Sequence, residues 1–349
     1  MSEIMSETMS DLFDNIERLS KLIGVSGDEE DVRNYIISRL PSECEYKTDN
    51  IGNLLVFKKG RKTPKNKVML CAHMDEVGFI VSSVSENGTL KFSPVGGINP
   101  SVVFGRRVIF KNGITGVIAA KAVHMLSDEE EEKQPKLSDL SIDIGARDKE
   151  EVLKHIATGD FCTFLSGYEE FGEGFIKGKA LDDRTGCAML LELLSKDNEY
   201  DMYCAFTVQE EIGTRGAACA AYNVKPDMAI VLETTTACDI SEVEEEKKVC
   251  ILGNGAVASF MDKGTIYDRE LYRLSFECAE SVGVKCQTKT LIAGGNDSGA
   301  IHKAVGGIRT AALSVPTRYL HSPSCVMKKE DVIAVLKTAA KLQERLSEL

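Results

Sequence analysis

The apolar positions of the chain fall into three textures. Across residues 9–40 they recur at helical spacing, first as Leu12, Phe13, Ile16, Leu19 and Ile23, then as Val32, Tyr35, Ile36 and Leu40. Ser26 and Gly27 separate two predicted helices, and Pro41 marks the end of the second. Residues 53–57 and 68–72 read as strands. The second is apolar without interruption, as a strand buried on both faces should be.

From about Val77 to Lys177 the pattern becomes β-rich. Asn87-Gly88 separates the runs 79–84 and 89–92, and Asn112-Gly113 separates 107–110 and 115–118. Asn-Gly between such runs signals a hairpin, because both residues tolerate the positive φ of a tight turn. One helical piece, 149–156, interrupts the strands. This stretch reads as an inserted, mostly β domain of roughly 100 residues. The run 127–136, with four consecutive glutamates, reads as a solvated loop.

Beyond Gly178 helices and strands alternate. Residues 184–194, 268–281 and 329–346 have helical periodicity, whereas 202–208, 228–232 and 307–315 are apolar strands. The prediction is an α/β fold: a mixed sheet with helices on both faces, built from residues 1–76 and 178–349, with residues 77–177 inserted.

Composition narrows the setting. The chain has 349 residues and a net charge of -12, which opposes binding to nucleic acid or anionic membranes. No apolar run reaches the ~20 residues of a membrane helix. The first residues lack a signal peptide's basic start and apolar core, so a cytoplasmic protein is expected. Eleven cysteines, an odd number without any Cys-x-x-Cys pair, read as reduced and largely buried thiols.

Polar chemistry gathers where the apolar strands end. Residues 68–72 run into His73, Asp75 and Glu76; 202–208 into Glu210 and Glu211; 228–232 into Glu233; and 307–315, through a short loop, into His321. Asp182 stands before a helix. Ligands of open α/β sheets bind beyond the carboxyl ends of the strands, so these groups should share one rim. Carboxylates so gathered repel one another unless a cation balances them. A histidine and carboxylate set without cysteine suits Zn²⁺, Co²⁺ or Mn²⁺ rather than a structural zinc site. Strand alternation would let Asp75 orient the His73 imidazole. Adjacent Glu210 and Glu211 cannot face one way in extended chain, which suits one ligand and one general base in either order.

The segments CAHMDEVGF (71–79), ALDDRTG (180–186), VQEEIGTRGA (208–217), AGGNDSGA (293–300) and RYLHSPS (318–324) resemble one family in order and spacing. It is the dinuclear-metal aminopeptidase family of the deblocking, glutamyl and tetrahedral (TET) aminopeptidases, some of whose members are labelled cellulase (endoglucanase) M. The resemblance runs from about residue 10 to the C-terminus. It implies a zinc-peptidase-like catalytic domain carrying a small inserted β domain. It also implies two divalent ions per subunit, zinc or cobalt, with manganese as a further option. Asp182 would bridge them, His73 and Glu233 completing one site and Glu211 and His321 the other. Glu210 would be the general base and Asp75 the residue that orients His73. The implied substrates are peptides with a free N-terminus, and the implied assembly is a homo-oligomer built from dimers, up to a dodecamer, with residues 77–177 as the oligomerisation domain. The chain departs from the family at position 233, often aspartate and here glutamate, and lacks the usual prolines before His124.

Other polar residues read more plainly. His124, His155 and His302 are expected as structural or surface histidines. Gly294 to Gly299 either shapes the pocket or forms a tight turn with Asp297 capping a helix. Asp183 and Arg184 read as a cap and a pair at a helix start, and Arg215, Arg318 and Tyr319 as residues flanking the site. Two rival functions are a glycoside hydrolase and a non-catalytic assembly protein. The first needs two carboxyl groups and no metal, which leaves His73 and His321 without a task. The second leaves the complete ligand set unexplained.

Overall fold

The computed structural model describes residues 2–120 and 136–349. His124 and most of the 127–136 run lie outside the described residues. The helices expected at the start are α1 (Ser2–Lys21) and α2 (Glu30–Arg39). The chain then forms β1 (Glu45–Thr48), β2 (Leu54–Lys58) and β3 (Val68–His73).

The barrel strands come next: β4 (Gly78–Val84), β5 (Leu90–Val95), β6 (Arg107–Phe110), β7 (Thr115–Ala119), β8 (Ser141–Asp143) and β9 (Phe161–Phe164), with α3 (Lys149–Leu153) between the last two. They close in the order β4-β5-β8-β7-β6-β9. Both Asn-Gly pairs sit at hairpin turns, with Gly88 at φ 80° and Gly113 at φ 85°. Closure removes exposed strand edges and leaves one apolar interior. Phe79 meets Phe92 and Phe164 edge to face there, at centroid distances of 5.1 and 5.2 Å.

The remaining elements are β10 (Glu169–Phe171), β11 (Phe175–Gly178), α4 (Leu181–Ser195), β12 (Met202–Thr207), α5 (Arg215–Val224), β13 (Met228–Thr236), β14 (Ala256–Ala258), α6 (Arg269–Ser281), β15 (Cys286–Thr288), α7 (Ser298–Ile301), β16 (Arg309–Thr317), β17 (Cys325–Lys328) and α8 (Lys329–Glu348). An eight-stranded mixed sheet runs β1-β2-β12-β3-β13-β16-β14-β15, and its centre, β12-β3-β13-β16, is parallel. A small sheet, β10-β11-β17, pairs the last residues of the 77–177 stretch with the C-terminal part.

The uninterrupted apolar strands result from burial on both faces. In β3, Val68, Leu70 and Ala72 pack into the core beneath α1, α4 and α8, while Met69 and Cys71 pack beneath α5 and α7. Burying each large aliphatic side chain contributes roughly 1.5–3 kcal/mol, so these two layers hold the strand ends in place. All eleven cysteines are free thiols, and Cys71, Cys187 and Cys204 are among the buried ones. Among the described residues no helix is long and apolar enough to cross a membrane.

Candidate metal centre

β3 delivers His73 at its last position, 2% exposed. Asp75 lies past the strand end, so a turn rather than strand alternation brings it back to the ring. His73 Nδ1 is 3.1 Å from the Asp75 carbonyl and 3.4 Å from its carboxylate. The same carboxylate accepts from Ser26 Oγ at 2.6 Å and from the backbone N–H groups of Glu210 and Glu211 at 3.0 and 3.1 Å. Asp75 therefore ties the His73 ring to the loop after β12. Burial opposes its charge, but His73, Ser26 and the Glu210 amide together hold its pKa below the ordinary carboxylate range.

That loop resolves the adjacent glutamates. Gln209 adopts a left-handed φ of 58°, and the Glu210 carbonyl accepts from Gly213 and Thr214. The chain is turned rather than extended, so Glu210 and Glu211 both line the same cavity, which measures about 730 Å³. Only Glu211 approaches a histidine, at 3.2 Å from His321 Nε2.

Asp182 stands at the start of α4 with non-helical φ and ψ, and Arg184 anchors this turn. The Arg184 guanidinium is fully buried and donates to the carbonyls of Met74 (2.6 Å), Leu19 (2.7 Å) and Gly24 (3.2 Å), and it meets Glu76 at 3.3 Å. Its partners thus lie across the core, away from the helix start. Asp183 does cap, accepting from Gly186 N at 3.0 Å. Glu233 lies inside β13, level with Ser314 of β16, and one of its oxygens accepts from Thr234 N. His321 sits in the loop after β16 with φ 57°, and its Nδ1 lies 2.6 Å from the Gly97 carbonyl of the barrel.

These placements produce two groups that could each hold a metal ion. His73, Asp182 and Glu233 form one, and Asp182, Glu211 and His321 the other, with ligand atoms within 4.8 Å of one another in each. Asp182 belongs to both, 3.5 Å from the Nε2 atom of either histidine. Its Oδ1 is buried without a hydrogen-bond partner. Burial pushes Glu211 up to about 8 and Glu233 well above its ordinary range. Burial would lower the histidines, yet contact with Asp182 raises His73 well above its usual value and His321 to about 10. Carboxylates that favour protons, histidines that favour charge and a carboxylate oxygen without a partner would all be balanced by a cation, so the donor set fits divalent metal.

Some residues take other places than their sequence suggested. Asp297 makes no cap bond at α7. It points under the sheet to Thr207 Oγ1 at 2.5 Å, while Gly294, Gly295 and Gly299 line the cavity. Arg318 is held by Asp239 through contacts of 2.6 and 3.0 Å. Neither it, Arg215 nor Tyr319 lines the cavity. His155 and His302 are the surface and structural histidines expected: His155 is exposed, and His302 Nδ1 contacts the Ser298 carbonyl. Sequence reasoning missed Gly97, whose only signal is the Gly96-Gly97 pair.

A parallel-centred α/β sheet that gathers two histidine–carboxylate groups around one aspartate defines a metallohydrolase. The profile of the M42 glutamyl aminopeptidase family matches residues 52–338. A protein of Acetivibrio thermocellus is 40% identical over 333 residues, covering 94% of this chain and 97% of its own. An aminopeptidase from the archaeon Desulfurococcus kamchatkensis superposes with a TM-score of 0.91 at 31% identity, covering 97% and 95%. The TET1 peptidase of Pyrococcus horikoshii, described as assembling into a tetrahedron or a large octahedral shell, superposes at 0.83 with 32% identity, covering 95% and 98%. The chain belongs to the M42 family and is a metallo-aminopeptidase.

Proposed function

We propose that this protein hydrolyses the N-terminal peptide bond of peptides using water activated by two divalent ions, zinc or cobalt, with manganese as a further option. The observation that carries the reading is Asp182, shared by both ligand groups, with Glu210 in the same cavity but in neither group. His73, Asp182 and Glu233 would hold one ion and Asp182, Glu211 and His321 the other. When bound, such ions lower the pKa of water from ~15.7 towards ~7 and polarise the scissile carbonyl.

The chain's own residues do the rest. Asp75 holds the His73 ring through Nδ1, which would leave Nε2 free to bind an ion. Glu210 is half-buried, and desolvation together with the nearby Asp297, Glu211 and Asp75 carboxylates raises its affinity for protons well above the ordinary range. It takes the proton of the attacking water and returns it to the leaving amine. The cavity carboxylates favour a cationic α-amine, which restricts cleavage to free N-termini. The reading extends to a homo-oligomer of the tetrahedral type built from dimers, with the insert, residues 77–177, carrying subunit contacts. Its free thiols suit the cytoplasm.

The test is a metal-loaded sample assayed on aminoacyl reporters, their N-acetylated forms and a soluble glucan, before and after chelation. Hydrolysis of the unblocked reporters alone, lost with the metal, is expected. Equal rates on acetylated reporters, or release of sugar from the glucan, would overturn the reading.

A further inference from the structure

Four consecutive backbone N–H groups just past β12 donate to side chains from distant parts of the chain. Val208 N donates to Asn53 Oδ1 at 3.0 Å and Gln209 N to Glu29 Oε1 at 3.1 Å, and the amides of Glu210 and Glu211 go to Asp75. Asn53 also donates to the Gly216 carbonyl at 2.9 Å and so closes the base of the loop. Asp75 serves His73 as well. Glu29 has no task in the reaction.

Glu29 stands at the N-cap of α2, yet its side chain makes no bond to that helix. Its Oε1 accepts instead from Gly27 N at 2.8 Å and from Gln209 N, 180 residues away. The residue is 5% exposed. Burial pushes its pKa above the ordinary range and Asp75 adds to this, against the pull of backbone N–H groups. A carboxylate kept in such a place costs stability. What it holds beyond its own turn is the Gln209 amide. Gln209 has φ 58°, a conformation that a side chain disfavours and that neighbours must support. On its other side the Gln209 carbonyl accepts from Arg215 N at 3.1 Å. This turn sets Glu210 in the cavity wall. Ser26, in the same α1–α2 connection, donates to Asp75 at 2.6 Å, so one short segment reaches both the support of His73 and the loop of Glu210.

We propose that Glu29 is a positioning residue for Glu210. By accepting the Gln209 N–H it fixes the left-handed turn that aims Glu210 into the metal cavity. Its hydrogen bonds reach no residue of either candidate ligand group, so it acts on the base and not on the ions. The proposal rests on the reading above, in which Glu210 moves the proton.

The test measures kcat, KM and metal content of metal-loaded Glu29→Ala, Glu29→Asp and Glu29→Gln on unblocked aminoacyl reporters, and repeats Glu29→Ala in a Glu210→Gln background. Glu29→Ala should lower kcat by about 10–100-fold, the scale of a small misplacement of a reacting group, with KM and metal content unchanged. Glu29→Asp keeps the charge but withdraws the acceptor by one methylene, and should fall nearly as far. Glu29→Gln keeps an acceptor oxygen at the same reach and should recover most of the loss. In the Glu210→Gln background Glu29→Ala should add little, because residues that act as a unit are not additive. Losses that multiply in the double variant, metal lost from Glu29→Ala, or wild-type rates in it overturn this proposal alone. If Glu29→Ala does not fold, the comparison of Glu29→Asp with Glu29→Gln decides, and an aspartate variant as fast as the glutamine one overturns the proposal. A wild type that hydrolyses no reporter overturns the aminopeptidase reading and this proposal with it.

Discussion

The two candidate ligand groups share Asp182 but are held by different parts of the molecule. His73 ends a central strand, is almost fully buried, and has its Nδ1 against Asp75 of the same domain. His321 is 33% exposed, sits in a loop with left-handed backbone, and has its Nδ1 against the Gly97 carbonyl of the inserted barrel. An imidazole ligand needs a partner on its second nitrogen to fix tautomer and ring direction. The catalytic sheet provides that partner for one histidine, and the insert provides it for the other. The barrel is therefore part of the site.

The largest expected effect comes from the residue common to both groups. Asp182→Ala should remove both ions and abolish hydrolysis. Two metals per chain by elemental analysis of the folded variant would show that the groups do not depend on Asp182.

The next effect separates neighbours within one loop. Glu210→Gln should keep both ions and lose about 10²–10⁴-fold in kcat, the usual contribution of a general acid–base group. Glu211→Gln should lose affinity for an ion as well as rate. If metal is instead lost from Glu210→Gln and retained by Glu211→Gln, their roles are exchanged.

The smallest effect tests the barrel's share. Gly96 has φ 85°, and a Cβ there would fall 2.7 Å from Val77 Cγ1 and 3.3 Å from Glu211 Cβ. Gly96→Ala should shift the loop that carries the Gly97 carbonyl and weaken one ion by about 10–100-fold, the typical cost of disturbing a ligand's supporting partner. Calorimetric titration should then show one weakened step and one unchanged. Equal weakening of both steps would remove the distinction between the two halves.

Much of this was written locally. The apolar runs of β3, β12 and β13 announce strands buried on two faces. The polar residues that end or follow those runs, His73, Glu210, Glu211 and Glu233, mark the rim of the sheet, where all four line one cavity. The Asn-Gly hairpins of the barrel are local for a similar reason, since a tight turn is set by its own φ angles. Other features depend on segments that meet only after folding. Whether Glu210 or Glu211 approaches His321 depends on the left-handed turn at Gln209. The partner of His321 is a backbone carbonyl 224 residues away, and a carbonyl leaves no mark in a sequence. Asp297 could cap its own helix, yet it bonds to Thr207, 90 residues distant. Local chemistry determined which residues could act, and long-range packing decided which of them face one another, because burial and pairing are properties of segments brought together by the whole fold.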